Sequence, residues 1–460
     1  MSDLKVLFVY TNINGTHEET YSFGLASIVS YVKKMGYVAQ VAIIKTKEDY
    51  PSYYRNFLEF NPGVVAFTSV SSQFGYVKEI ATEIKRLDPS VITVCGGVHP
   101  TIFPECLLES PSLDGIFVGE SELSFGEFLD HINKKEPYVE TRNFCYVENS
   151  NLIKNPLMPL IQDLDILPFP DKTTYPFKDT VSQEGIAPFM FSRGCPFLCS
   201  YCSNHAIANI YGLSHNTPRY RSPESSIREI EETLKEFPQI RSIWIMDDTF
   251  GLNKEWRKEF CSKYKERIGI KFDCLLRANI IDEEFVKMLK EAGCFQMSIG
   301  VESGNEYIRN TVMNRQMSNQ QIIHAFTLAR KYGIKTNAIN IIGVPGETEE
   351  MIWDTIRLNR IAKPTTSGVN IFYPYKGTRL GDYCVREGLF DEKNYQSFSS
   401  ERRESVLNYP EEYKKKLRYY HQHWTDLVYP WDIRKRMNQA IMNHPRLLSA
   451  LRKIKYGIVR

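Results

Sequence analysis

Residues 192–205 read SRGCPFLCSYCSNH, with Cys195, Cys199 and Cys202 separated by three and then two residues. A zinc site made of cysteines needs four protein ligands closed into a tetrahedron. His205 stands three residues after the last cysteine, so a zinc site of three cysteines and one histidine is one reading. A disulfide framework is disfavoured, because three thiols leave one over. An iron–sulfur cluster is the other reading, since cubane clusters are held by cysteine thiolates, normally four. Three ligands leave one iron open to a small molecule, much as catalytic zinc keeps an open position. The loop follows APFMFSRG (187–194), an apolar run that reads as a strand. Arg193 and Gly194 permit a tight, electropositive approach for anionic sulfur.

Downstream, SIWIMDD, KFDCLLRA, QMSIGVES, KTNAINIIG and GVNIFYPY repeat the strand pattern, with helical stretches between them. One such stretch, SPESSIREIEETLKEF, opens on Ser222 and Ser225–Ser226, which are N-cap residues. Six strand–helix units predict a parallel barrel, incomplete at six strands rather than eight, with its chemistry at the strand carboxyl ends. Polar residues stand there: Asp247 and Asp248, Arg277, Glu302 and Ser303, and Gly343–Glu347.

Upstream, residues 1–135 carry five strand patterns, each followed by a helix, which predicts a parallel sheet covered on both faces. Ligands of such sheets bind beyond the strand carboxyl ends. Those ends read TNING (11–15), TSVSS (68–72), GGVHPT (96–101) and GES (119–121). They are rich in glycine and hydroxyls, which suits close backbone approach to a bulky ligand. No GxGxxG follows the first strand, so a dinucleotide fingerprint is absent. Residues 136–186 read as an extended strap, with four prolines in NPLMPLIQDLDILPFPD. Residues 386–460 are aromatic and helical, and 433–460 hold eight Lys/Arg and no acid. That tail reads as a solvated helix, with a membrane-surface or polyanion contact as the alternative.

The length, 460 residues, suits roughly two to four domains. The apolar fraction of 42% supports real cores, and a net charge of +2 gives no reason to expect a nucleic-acid partner. No apolar run approaches the roughly 18 residues of a membrane span. MSDLKVLFVY runs into a strand without a basic leader region, so the expected compartment is the cytoplasm, where disulfides are rare. Cys95, Cys106, Cys145, Cys261, Cys274, Cys294 and Cys384 are then expected as buried small hydrophobes.

CPFLCSYC resembles the Cys-x3-Cys-x2-Cys signature of radical S-adenosylmethionine (SAM) enzymes, with Tyr201 just before the third cysteine. IMDDTF, GVESGNEYIRNTVMNR, IIGVPGET and YPYKGTRL resemble that superfamily's later motifs, in order. The first domain, with GGVHPT and GESE, is similar to the cobalamin-binding domains that precede the barrel in one large subgroup. The resemblance spans residues 1–385. It implies an α/β chain: a flavodoxin-like Rossmann cobalamin-binding domain (1–135), a linker (136–186), a partial (β/α)6 TIM-type radical SAM barrel (187–385) and a mostly helical C-terminal region (386–460). It implies a 4Fe-4S cluster, S-adenosylmethionine and cobalamin as cofactors. Its partners would be a small-molecule substrate and a low-potential electron donor such as flavodoxin or ferredoxin.

Residue roles follow from the same resemblance. Cys195, Cys199 and Cys202 would hold the cluster, and Tyr201 would lie near the adenine. Asp247 and Asp248 would accept from the methionyl ammonium, a carboxylate suiting that cation. Glu302 and Ser303 would meet the ribose or amino-acid end, Arg315 the methionyl carboxylate, and Ile341 and Val344 the adenine. Thr68, Ser69, Gly96, Gly97 and Gly119 would face the corrinoid. Ordinary ion pairs, caps and turn glycines stay open as alternatives for all but the cysteines. Many corrinoid proteins carry Asp-x-His-x-x-Gly after the first strand, whereas TNINGTHEETYSFG has His17 without that aspartate or glycine. Cobalamin is therefore expected without a histidine below the cobalt, leaving His17 and His99 as loop or tail-pocket residues. The implied activity is methyl transfer to unactivated carbon or phosphorus. The alternatives are ring contraction or oxidative cyclisation and, in another class, a zinc-bound corrinoid or nucleotide carrier without catalysis. Tyr373, Tyr375, Trp424 and Trp431 either line an apolar pocket or belong to the core.

Overall fold

Alternation within strands decides how the first sheet is covered. In the computed structural model, which describes residues 4–13, 21–173, 177–214, 217–391 and 401–433, seven strands form one sheet. They are β1 (Lys5–Thr11), β2 (Val38–Ile44), β3 (Val64–Thr68), β4 (Ile92–Gly96), β5 (Gly115–Phe117), β6 (Phe144–Glu148) and β7 (Asn151–Lys154). Their order is β2-β1-β3-β4-β5-β6-β7, and the first five are parallel, as in flavodoxin-like sheets. Leu7, Val9, Val65, Phe67, Cys95 and Ile116 point to one face, against Tyr53, Phe57, Val77, Ile80 and Ile84. Val6, Phe8, Val64, Ala66, Val94 and Phe117 point to the other, against Leu25, Val29, Val32, Phe125, Phe128 and Leu129. Period-2 alternation thus feeds two cores from the same strands. β6 and β7 add an antiparallel hairpin inside the stretch read as an extended strap. Its turn residues, Asn149 and Ser150, both have positive φ (49° and 64°), the backbone that a two-residue hairpin turn demands.

The remaining strands are β8 (Ile186–Phe189), β9 (Ser192–Arg193), β10 (Arg219–Tyr220), β11 (Ser242–Ile245), β12 (Lys271–Arg277), β13 (Cys294–Glu302), β14 (Lys335–Ile342) and β15 (Thr366–Ile371). β8 and β11–β15 pair in parallel in chain order, giving the six-stranded open half-barrel. Helices Lys254–Arg267, Glu283–Glu291, Asn319–Lys331 and Glu349–Ala362 connect β11–β15. Asn253, Asp282, Ser318 and Thr348 cap them through side-chain oxygens. After β15, helices Glu411–Gln422 and Trp424–Val428 bring Leu417, Tyr420, Trp424 and Val428 onto Ile342, Ile352, Ile356 and Ile371. Trp424 and Tyr373 are therefore core residues, while Trp431 is 93% exposed.

The chain divides into two compact units. One comprises residues 1–180, 190–236 and 374–401, with the seven-stranded sheet and the cysteine segment. The other comprises residues 181–189, 237–373 and 402–460, with the half-barrel and the C-terminal helices. His17 and the basic tail from residue 434 lie outside the described residues. No helix among the described residues is long and apolar enough to cross a membrane.

Candidate functional site

The cysteine loop leaves a two-strand ribbon in which Arg193 pairs with Arg219 and Ser192 with Tyr220. Gly194, at φ +93°, turns the chain out of it. The Cys202 amide donates to the Cys199 carbonyl at 3.1 Å, and Cys202 is the N-cap of helix Ser203–Ile210. A helix N-terminus favours a thiolate. Cys199 is buried and Cys195 and Cys202 are half-buried, and no disulfide joins any of the ten cysteines. The seven scattered cysteines are all buried. Tyr201 is half-buried on the same turn. A single zinc ion needs four ligands at roughly 2.0–2.3 Å from one point. No three His, Cys, Asp or Glu side chains among the described residues converge in that way. His205 is buried on the helix, its Nε2 3.5 Å from Asn209 Nδ2. Three thiols on one loop, none of them in a disulfide, are a donor set that fits a cubane cluster.

Charged side chains surround the ribbon. Arg193 Nη2 donates to Glu122 Oε1 at 2.5 Å and to Ser27 Oγ at 3.0 Å. Ser27 Oγ in turn donates to Glu122 at 2.7 Å. Burial raises the Glu122 pKa, but Arg193, with the Ser27 and backbone hydrogen bonds, more than offsets this and holds the carboxyl below its usual range. Arg219 grips both oxygens of Glu120 and donates to the Ile161 carbonyl at 2.7 Å. The Glu120 amide donates to the Tyr211 hydroxyl at 3.0 Å. That hydroxyl would lie 2.0 Å from a Cβ at Gly119, so this glycine is needed to admit Tyr211.

At the other strand ends of this unit, Thr68 and Gly96 are register partners on β3 and β4. Gly97 has φ +98°, and a Cβ there would meet Ser69 O at 2.7 Å and Ser69 N at 2.8 Å. Gly96 is open, with nothing nearer to an added Cβ than 3.9 Å. Val70 and Val98, beside these glycines, are exposed. Backbone, hydroxyls and exposed valines at one sheet edge fit the flank of a large macrocycle. His99 is buried between Phe74 and Phe103 and shares a hydrogen bond with Ser71 Oγ at 3.0 Å. Burial, helped by Lys376 and Lys78, lowers its pKa to about 4. Gln73 went unnoticed in the sequence, yet it receives the Ile13 amide and donates to the Ile13 carbonyl, fixing the chain just beyond β1.

In the half-barrel, Asp247 is fully buried beyond β11 and Asp248 is exposed. Glu302 ends β13 at φ +62°, next to a register shift between Gly300 and Glu302. A non-glycine residue there carries a backbone cost. Glu302 Oε1 lies 3.3 Å from Arg315 Nη2, which donates to the Gly300 carbonyl at 3.0 Å. A Cβ at Gly300 would fall 2.3 Å from Arg315 and 2.6 Å from Glu302. The structure therefore joins two residues singled out separately and adds Gly300 as the cradle between them. Ser303 is buried differently: its Oγ accepts from Asn305 N at 3.2 Å and lies 3.4 Å from Thr355 Oγ1. Ile341 is half-buried on β14 and Val344 fully buried after it. Gly343 N donates to Glu347 Oε2 at 2.5 Å. Burial raises the Glu347 pKa to about 8, against the amides of Gly343 and Val344. Tyr409 donates to Gly343 and Val344 carbonyls and Tyr413 to that of Glu347, so the C-terminal segment pins this loop.

Comparison with known proteins agrees with this geometry. The Radical SAM superfamily model matches residues 189–358 and the B12 binding domain model residues 13–129. The uncharacterized methyltransferase PH0819 of Pyrococcus horikoshii is 30% identical over 382 residues, 82% of this chain and 81% of that protein. The anaerobic magnesium-protoporphyrin IX monomethyl ester cyclase of Rubrivivax gelatinosus is 24% identical over 85% of this chain and 72% of its own length. The methyltransferase TsrM from Kitasatospora setae, solved with cobalamin and a [4Fe-4S] cluster, shares the fold, with a TM-score of 0.68 at 18% identity over 84% of this chain and 78% of that one. The chain therefore belongs to the radical SAM superfamily, in the branch that carries a B12 binding domain, and it is a radical SAM enzyme whose cofactors are a 4Fe-4S cluster, S-adenosylmethionine and cobalamin.

Proposed function

We propose that this enzyme transfers a methyl group to an unactivated carbon or phosphorus centre of a small molecule. The observation that carries this reading is the 30% identity, over four-fifths of both chains, to a protein named a methyltransferase. Cytidylyl-2-hydroxyethylphosphonate methyltransferase of Streptomyces wedmorensis, 22% identical over 85% of this chain, supports it. When bound, the three cofactors supply reductive cleavage of a sulfonium and methyl transfer through cobalt. The chain supplies placement. Cys195, Cys199 and Cys202 would hold the cluster, with Tyr201 beside the S-adenosylmethionine site. Asp247 takes the methionyl ammonium, and Arg315, steadied by Glu302, takes the carboxylate; Asp248 and Ser303 flank these positions. Ile341 and Val344 provide an apolar edge for the adenine. Thr68, Ser69, Gly96 and Gly97 would meet the corrinoid, whereas Gly119 is covered by Tyr211, and the chain would hold the corrinoid without a histidine ligand. Residues 1–135, extended by the β6–β7 hairpin, would act as the corrinoid domain, and residues 187–385 as the barrel. Ten cysteines without a disulfide suit a reducing cytoplasm, where flavodoxin or ferredoxin would donate the electron.

The second reading, cyclisation without methyl transfer, draws on the identity to the magnesium-protoporphyrin ester cyclase. With methyl-labelled S-adenosylmethionine, a methyltransferase labels its product and forms deoxyadenosine and S-adenosylhomocysteine in equal amounts. Deoxyadenosine alone, with an unlabelled product, would establish the second reading.

A further inference from the structure

The loop that holds the three cysteines is tied to the corrinoid-binding domain before, within and after the motif. Before it, Arg193 reaches Glu122, 71 residues away in sequence, and the pair is closed by Ser27. Within it, Ser200, between Cys199 and Cys202, accepts the Leu380 amide at 2.8 Å. Leu380 belongs to a tight segment after β15. In this segment Gly377, at φ +85°, sits so close that an added Cβ would meet the Ile102 carbonyl at 2.0 Å. Lys376 Nζ lies 3.7 Å from the centroid of Phe103. Ile102 ends the short helix that begins at Val98, beside Gly97. After the motif, Arg219 grips Glu120, and Tyr211 fills the space above Gly119. The β5 end, which from sequence resembled a ligand loop, is thus occupied by the cysteine segment itself.

We infer that Glu122, Arg193 and the Lys376–Leu380 segment are positioning residues that mount the cluster loop on the corrinoid-binding domain. This rests on the reading of the three cysteines as cluster ligands. The physical case is the cost of the alternative. A charge as buried as Glu122, with its side chain 4% exposed, is kept only where a partner is fixed opposite it. The partner here is two residues from the first ligand. A loop so placed need not be ordered by the cluster alone, because its thiols are held in place beforehand.

The test compares the full-length chain with Glu122→Gln. In metal-free protein, the motif thiols of the variant should react with a small alkylating reagent at least about tenfold faster, a difference of roughly 1.4 kcal/mol. The thermal transition should fall, because Arg193 loses its buried partner, while the bound-hydroxocobalamin spectrum should stay as in the parent. After anaerobic reconstitution, the resonance of the reduced cluster should broaden and lose its shift on adding S-adenosylmethionine. Glu122→Asp, which keeps the charge, should recover that shift in part. If Glu122→Gln does not fold, Arg219→Lys, which keeps charge but loses the two-pronged grip, provides the same readings. Parent-like alkylation rates and an unchanged resonance in a folded variant would overturn the mount. A parent that alkylates as the mount requires but binds no iron would overturn the cluster reading instead.

Discussion

The two sheets end in chemically different ways. At the carboxyl edge of the seven-stranded sheet the chain offers Gly96, Gly97, Ser69 and two exposed valines, Val70 and Val98. His99 is there as well, but buried, with a pKa near 4 it is neutral. At the carboxyl edge of the half-barrel it offers ionisable groups: buried Asp247, Arg277 and Glu302, with half-buried Arg315 beside Glu302. A broad macrocycle is bound by area and by close backbone approach, which glycine allows. A small zwitterion is bound by charges placed in advance, and buried charges persist only when paired. One edge is built for shape and the other for charge.

That contrast can be broken from either side. The largest effect is expected at Glu302. Glu302→Gln removes the partner of Arg315 and should weaken S-adenosylmethionine binding by about 10- to 100-fold, the loss of a charge-assisted hydrogen bond of roughly 1.5–3 kcal/mol. Equilibrium binding to the reconstituted protein measures it, and the corrinoid content should not change. Next is Gly97→Ala, whose Cβ would meet the Ser69 backbone at 2.7 Å in a left-handed conformation. Strain of about 1–3 kcal/mol should cut hydroxocobalamin retention by about tenfold while iron per chain is kept. Gly96→Ala, with open space, sharpens the comparison: the fold is indifferent to it, so any loss of corrinoid reports a direct contact. The last effect, on stability rather than on ligand binding, is at Glu347. Its folded pKa of about 8 lies above its ordinary 4.5, so between those values the native state binds the extra proton. Its contribution to stability is whole below the lower value and is lost as pH rises towards 8, with a slope of up to about 1.4 kcal/mol per pH unit. Glu347→Gln should flatten that decline in denaturant titrations from pH 5 to 8.

The parts legible in the sequence were those with local signals. Runs such as KVLFVY and VVAFTSV announce strands because burial on both faces demands β-branched and apolar residues at every position. The cysteine spacing is equally local. The β6–β7 hairpin was missed because both strands are short and only partly buried at the sheet edge, although Asn149 and Ser150 carried the turn signal. The Glu122–Arg193 pair, the Gly300 cradle and the Tyr409 and Tyr413 bonds to the loop after β14 join residues 71, 15 and about 66 positions apart. No periodicity encodes such pairings, since they exist only once the strands are in register.

The central claim is that Cys195, Cys199 and Cys202 hold a cluster in a chain that binds its corrinoid through other residues. Iron, sulfide, zinc and corrinoid are to be quantified in anaerobically reconstituted parent protein and in the triple cysteine-to-alanine variant. The account predicts a 4Fe-4S cluster and a corrinoid in the parent, and in the variant no iron, no brown chromophore and no deoxyadenosine, with the corrinoid retained. Stoichiometric zinc without iron in the parent, or an iron content untouched by the three substitutions, would contradict it.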